Sequence, residues 1–230
     1  GRFKIMMPVL RGEWWDSFAW VVKNIYGFSE PRQWGMSVTE ASSRSGDFLL
    51  TSRPWSEKYG SIRGFLDADF LNNLYGATYS IPSLYQWYEL TGNQEALRRA
   101  KRMIDWLLDS GVRVHDGPTK GMFYSEYLGE GCGRGAVPNG GGCDQGNNPW
   151  LNTHSTGSSV WTLLEWLRMT GENDPRVLDA ARAGADQLVR LQNPDGGWAY
   201  AYHPDGKIAV DFAGAGNIWS IWALHRMGKL

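Results

Sequence analysis

The chain has 230 residues, 42% of them hydrophobic, enough for one large domain or two small ones. Its net charge of −1 leaves no electrostatic footprint for nucleic acid. Its apolar runs are short and interrupted, so no segment is predicted to cross a membrane. Gly1-Arg2 opens the chain in place of methionine, which suggests a processed or trimmed polypeptide, so the lack of a leader does not assign a compartment. The first predicted element is a helix over "RGEWWDSFAWVVKNIYGF", residues 11–28. Residues 28–64 read as irregular, because Ser and Arg are frequent in "SEPRQWGMS", "SSRSGD" and "TSRPWSEKYGS" and no helical period persists. A loop that long in a compact domain is usually functional, or it conceals structure. Residues 1–65 are therefore expected to pack on a body formed by residues 66–230, as a single domain overall.

That body is written as a repeat. "LNNLYGATYSIPSLYQWYELTG", ending at Gly92, and "NPWLNTHSTGSSVWTLLEWLRMTG", ending at Gly171, superpose with Asn73 on Asn152, Tyr75 on His154, Leu84 on Leu163, Trp87 on Trp166 and Thr91 on Thr170. Each copy carries a helix that is apolar on nearly every side, over Tyr79–Leu90 and Ser158–Met169, and so is expected to be buried. Each ends at Thr-Gly, where glycine suits the left-handed position past a helix end. An amphipathic helix follows each. The first carries Leu97, Ala100, Ile104, Leu107 and Leu108 on one stripe, the second Val177, Leu178, Ala181, Ala185, Leu188 and Leu191. Asp174-Pro175 reads as a cap followed by proline at the first helical position. The returns "GMFYSEY" from Gly121 and "GWAYAYH" from Gly197 alternate aromatic with small or polar residues, as short extended segments do.

A third copy begins at "GNIWSIWALHRMG", with Ile218 on Val160, Trp219 on Trp161 and Met227 on Met169, and no amphipathic partner follows it. Its open face calls for cover from the N-terminal segment, from missing chain segments or from a second subunit in a homo-oligomer. The thirteen Trp residues are several times ordinary usage; most are expected in the core, and some to line a cleft where an indole stacks on a pyranose. Cys132 and Cys143 flank a short Gly-rich loop that suits either a disulfide, with an oxidising compartment, or two free thiols. Zinc is not expected there, for want of ligands. "NGGGCDQGNN" offers Asp144, Asn147, Asn148 and carbonyls that could hold calcium, but its carboxylates are sparse and no cofactor is expected.

The alternation of inner buried and outer amphipathic helix, with "YELTGNQEALRRAKRMIDWLL" as its best example, resembles the α/α toroids of six-hairpin glycosidase-like proteins and related polysaccharide lyases. The resemblance covers about residues 66–230 and implies an all-α fold, a partial or complete α/α toroid with long irregular loops. "QNPDGGW", Gln192–Trp198, is similar to the QW motif that staples helices in terpene cyclase toroids. "DADF" at Asp67–Phe70 lacks the further Asp those enzymes use, and Asp with Gly makes a turn for structural reasons, so that chemistry is not favoured.

In toroids that act on glycans, the resemblance implies a cleft where the inner helices begin. Asp67, Asp69 and Asn73 precede the first, Asp144, Trp150, Asn152 and His154 the second, and Asp211 the third; the returns add Tyr124, Glu126, Trp198, Tyr202 and His203. Glycoside hydrolysis needs two carboxyl groups, and a pair from different copies, such as Asp69 with Asp144, suits the geometry better than Asp67 with Asp69. Each Asp reads equally as a helix cap. The alternative is β-elimination at a uronate, with Asn152, His154 and a Tyr such as Tyr124 acting at the sugar acid and Arg134 binding it. His154 is either that working imidazole or an aromatic filler standing where Tyr75 stands in the first copy. The expected partner is a poly- or oligosaccharide, with secretion or the periplasm as the location; a non-catalytic glycan-binding or scaffold module is the rival class.

Overall fold

Side-chain caps start three of the helices, Thr-Gly pairs end two of them, and a proline ties two of them together. The computed structural model describes residues 38–51, 55–57, 60–62, 71–124, 126–128, 135–137, 151–211 and 217–229. The chain divides into two units, Gly1–Ser42 and Ser43–Leu230. Of the first, only residues 38–42 are described, as the opening of helix α1 (Val38–Thr51). The helix predicted over residues 11–28 lies outside the described residues, as do Cys132 and Cys143.

The second unit is mostly helical, with α2 (Leu74–Thr91), α3 (Gln94–Asp109), α4 (Thr153–Thr170), α5 (Pro175–Leu191) and α6 (Asn217–Met227). Helices α2, α4 and α6 pack in series, α3 lies against α2, and α5 lies against α4 and also touches α3 and α6. This is the inner-and-outer alternation of an α/α toroid. The outer helices bury most of the stripes expected of them, with Leu97, Leu178 and Leu191 half-buried at the edges. Ala100, Met103, Ile104, Leu107 and Leu108 face inward on α3, and Val177, Ala181, Ala185 and Leu188 on α5. Asn93 caps α3 by accepting from the Ala96 N–H at 3.1 Å, and Asp174 caps α5 by accepting from the Arg176 N–H at 2.9 Å.

The repeated Thr-Gly has a hydrogen-bond reason. The Thr91 and Thr170 hydroxyls donate to the carbonyls of Trp87 and Trp166, at 2.6 and 2.8 Å, and accept from the N–H groups of Asn93 and Glu172. Gly92 and Gly171 then take φ of 71° and 66°, which turns the chain back toward the outer helix without a Cβ penalty. In mid-helix, Pro82 has no N–H, so the carbonyl of Thr78 four residues earlier loses its helical donor. The Thr162 hydroxyl of α4 donates to that carbonyl at 3.1 Å, across the helix–helix interface.

Both inner helices start earlier than the sequence predicts, at Leu74 rather than Tyr79 and at Thr153 rather than Ser158. The small polar run "THSTGSS" reads as loop, yet tertiary packing recruits it into α4. A Cβ on Gly157 would stand 2.6 Å from the Ser220 nitrogen and 2.7 Å from the Trp219 carbonyl carbon, so only glycine permits that approach of α4 to α6. Thr156 donates to the Asn152 carbonyl and accepts from the Phe123 N–H, each at 3.0 Å.

The irregular reading of residues 28–64 needs correction, because Val38–Thr51 is helical and two short antiparallel strands, β1 (Trp55–Ser56) and β2 (Ser61–Ile62), follow. "SSRSGDFLLT" has little intrinsic helix tendency and carries a central glycine. The glycine is there for packing: Gly46 is buried directly against the indole of Trp87, where any Cβ would collide with the ring. Leu50 packs on the core, and Arg99 donates to the Leu50 carbonyl at 2.9 Å. Tertiary contact supplies what local propensity does not.

Strands mark the start of each repeat. β3 (Leu71–Asn73), β4 (Glu126–Leu128) and β5 (Gly135–Val137) form one antiparallel sheet. β6 (Leu151–Asn152), β7 (Ala201–Tyr202) and β8 (Ile208–Val210) form its counterpart. In each, the strand that feeds an inner helix pairs with the return from the outer one, and a bridge between Tyr124 and Leu151 links the repeats. The pairing therefore gathers strands and inner-helix starts at one end. Trp166 is fully buried and meets Tyr85 edge-on at 5.5 Å, as expected for a core residue.

Candidate functional site

Packing of α4 against both α2 and α6 brings the N-terminal halves of the three helices together, and three of their rings meet there. The Tyr79 hydroxyl lies 3.4 Å from His154 Nε2. The Trp219 indole stacks on the imidazole at 6.2 Å with a 27° interplanar angle and sits 5.3 Å from the Tyr79 ring. Trp161 and Trp222 continue the cluster edge-on from Trp219, at 5.3 and 5.1 Å. One helix supplies each partner: Tyr79 from α2, His154 and Trp161 from α4, Trp219 and Trp222 from α6.

Electrostatics follow from this half-buried setting. Burial holds the His154 imidazole below its usual value, because the cationic form is poorly solvated among rings. Burial raises the Tyr79 hydroxyl, against a smaller lowering from a hydrogen bond with Trp219. At neutral pH the pair is therefore a neutral imidazole beside a protonated phenol: a proton acceptor next to a proton donor.

Asn152 caps α4. Its side-chain oxygen accepts from the His154 N–H at 2.8 Å and the Ser155 N–H at 3.3 Å, which fixes the turn that aims His154. The Asn152 side chain is buried, and among the described residues its Nδ2 has no hydrogen-bond partner; nor have the buried Ser155 and Ser159 hydroxyls farther along α4. Tyr124 is half-buried, with its backbone N–H donating to the Val112 carbonyl at 2.9 Å, and burial raises its hydroxyl pKa.

Two of the expected substrate contacts are instead structural in position. Trp198 is buried, and its indole N–H donates to the Leu188 carbonyl at 2.6 Å. Tyr202 is buried too, its hydroxyl donating to the Leu191 carbonyl at 3.3 Å. Neither offers a face to a ligand; both staple a return to the end of α5. "QNPDGGW" makes the turn that lets Trp198 do this. Gly196 has φ 87°, and Asp195 accepts from the Gly197 N–H at 2.9 Å. His203 is half-buried in the β7–β8 turn, its N–H donating to the Lys207 carbonyl. Asn73 is placed by its backbone, opposite Glu126 in the β3–β4 pair. Asp211 follows β8 and is exposed. Asp67, Asp69, Arg134, Asp144 and Trp150 lie outside the described residues.

Sequence reasoning passed over Tyr79 and Trp219 as site residues. Trp219 was legible as the third-copy equivalent of Trp161, but its meeting with His154 depends on the α4–α6 approach that Gly157 allows. It also passed over Glu165, a carboxylate on an inner helix. Arg168 holds it at 2.5 Å and Arg226 of α6 at 2.8 Å, and the Arg168 hydrogen bond lowers its pKa. No group of three His, Cys, Asp or Glu among the described residues could hold a metal ion. No described helix is long and apolar enough to cross a membrane.

No family model matches the chain, and no curated protein matches its sequence. Among solved structures, it is similar to the unsaturated glucuronyl hydrolase of Bacillus sp. GL1, with TM-score 0.63 and 16% identity over 92% of this chain and 52% of that one. It is also similar to the cellobiose 2-epimerase of Bacillus thermoamylovorans B4167, with TM-score 0.58 and 13% identity over 90% of this chain and 50% of that one. A glycoside hydrolase family 76 mannosidase of Bacteroides thetaiotaomicron VPI-5482 aligns with TM-score 0.51 and 17% identity, over 94% of this chain and 52% of that one. The chain spans about half the length of these structures. What it shares with them is the fold, the α/α toroid that these carbohydrate-active enzymes have in common.

Proposed function

We propose that this chain is the toroidal part of a carbohydrate-active enzyme that cleaves glycosidic bonds in an oligo- or polysaccharide. The observation that carries the reading is the ring cluster Tyr79–His154–Trp219 at the starts of three inner helices. Aromatic faces suit the C–H faces of a pyranose, and a donor–acceptor pair beside them suits proton transfer at the bound sugar. Asp69 and Asp144, from different copies, are the proposed carboxyl pair for hydrolysis. Asp67, Asn73, Arg134, Trp150 and His203 are proposed around the substrate, and Asn152 positions His154 through its cap.

A second reading, β-elimination at a uronate, is favoured by the Tyr79–His154 pair. A neutral imidazole can take the proton next to the carboxyl group while the phenol protonates the leaving oxygen. Incubation with a panel of oligosaccharides separates the two. New reducing ends without ultraviolet absorbance support hydrolysis, and absorbance from an unsaturated uronate supports elimination. Glycan binding with neither product would reduce the protein to a binding module. His154→Phe is expected to lower activity by about 100-fold or more. Unchanged activity would mean that the imidazole only fills the slot of Tyr75.

A further inference from the structure

A second feature runs from the edge of the ring cluster toward the C-terminal ends of α4 and α6. A cleft of about 500 Å³ opens where α4, α5 and α6 meet, floored by Leu164 and Leu178 and walled by Arg168, Arg182, Arg226 and Lys229. A smaller one, about 230 Å³, adjoins it, shares Arg226 and Lys229 and adds the indoles of Trp161 and Trp222. Together they fall in the size range of small-molecule sites.

The charge balance is uneven. Glu165 neutralises one of the two guanidiniums it holds, and Glu172 at the rim is paired with Lys101 at 3.0 Å. Arg182 and Lys229 have no ion pair among the described residues and are exposed. The carbonyl ends of α4 and α6 lower the local potential, and Arg168 and Arg226, in the last turns, offset that. The excess of positive charge therefore stands. It is also pre-arranged, because Arg168 donates to the Glu165 carboxylate from Nε and Nη2, and Arg226 donates to it from Nη2.

We propose that this paired cleft binds a small molecule carrying an oxyanion on an apolar-faced body: Arg182, Arg226 and Lys229 take the anion, while the leucine floor or the Trp161–Trp222 wall takes the body. The site borders the ring cluster, sharing Trp161 and Trp222 with its edge, but it is lined by neither Tyr79 nor His154 and goes beyond the proposed glycosidic chemistry. A sugar phosphate and a sugar acid share the required chemistry, and a titration series tells them apart.

The probes are glucose 6-phosphate, glucuronate, inorganic phosphate and glucose, each titrated calorimetrically into the intact chain and into the double variant Arg182→Gln/Lys229→Gln. Saturable binding is expected for glucose 6-phosphate or glucuronate, with inorganic phosphate at least about tenfold weaker and glucose weaker still. The double variant, whose two side chains are exposed and hold no ion pair among the described residues, is expected to fold normally by circular dichroism and to lose about tenfold or more in affinity. Three results would overturn the proposal: no binding of either charged sugar up to about 10 mM, equal binding of inorganic phosphate, or undiminished binding by the folded double variant. His154→Phe should leave this binding unchanged, so failure here and failure of the proposed glycan cleavage remain distinguishable.

Discussion

Helices α4 and α6 carry the same pattern, and the protein treats them oppositely. Val160, Leu163 and Leu164 of α4 are 0%, 0% and 3% exposed, while their equivalents Ile218, Ile221 and Trp222 of α6 are 52%, 56% and 51% exposed. The residues are equally apolar, so composition does not make the difference; neighbours do. Helix α4 has α2 on one flank, α6 on the other and α5 behind, with Gly184 of α5 receiving the Val160 side chain. Among the described helices, α6 packs chiefly against α4 and the edge of α5. An inner helix of this fold is therefore defined by its surroundings, and its sequence states only what it can tolerate.

Matched truncations sharpen that comparison. Leu163→Ala should cost about 3 kcal/mol in chemical denaturation, because its site is sealed on all sides and a cavity remains. If it matches Ile221→Ala, burial is not what distinguishes the two helices. Gly157→Ala is next, at about 2 kcal/mol, since its methyl group must push the α6 backbone away at Ser220. Its distinguishing readout is the Trp219 environment by near-ultraviolet circular dichroism, which should change even where folding survives. Glu165→Ala should cost about 1 to 2 kcal/mol, less than an enclosed ion pair would, because Arg168 and Arg226 can swing into solvent once released.

The pH response adds a smaller test. His154 has a folded value below its unfolded one, so its contribution is full above about pH 6.5 and is lost as pH falls through the folded value. Stability should therefore start to decline on acidification below neutrality, and His154→Phe should flatten that part of the profile. Glu165, also lowered, acts in the same direction but only below about pH 4.5. Last comes Ile221→Ala, expected to shift stability by no more than about 0.5 kcal/mol, because the side chain already stands in water. A larger loss would mean that this face is covered in solution.

The architecture was legible because repetition is a strong signal. Superposing Trp87 on Trp166 and Gly92 on Gly171 located both hairpins, and Asp174-Pro175 located the start of α5 to the residue. Helix boundaries at the N-terminal side were not legible, since "THSTGSS" and "SSRSGDF" lack an apolar period and become helical only against Ser220 and Trp87. The site was half legible. Position within the repeat singled out His154 and Asn152, and Asn152 caps its helix. The described ring partners of His154 come from α2 and α6, at distances along the chain where spacing carries no information. Trp198 illustrates the converse: an aromatic in a return reads as a sugar platform until the Leu188 carbonyl accounts for its N–H.

Pro82 has one more consequence. A helix normally completes its own ladder, but α2 leaves one rung to be closed by Thr162 of the next hairpin. The first hairpin released on its own would have to hydrate the Thr78 carbonyl or leave it bare. The hairpins are thereby coupled at this point, since packing α4 against α2 supplies the donor that a missing hydrogen atom denies the helix.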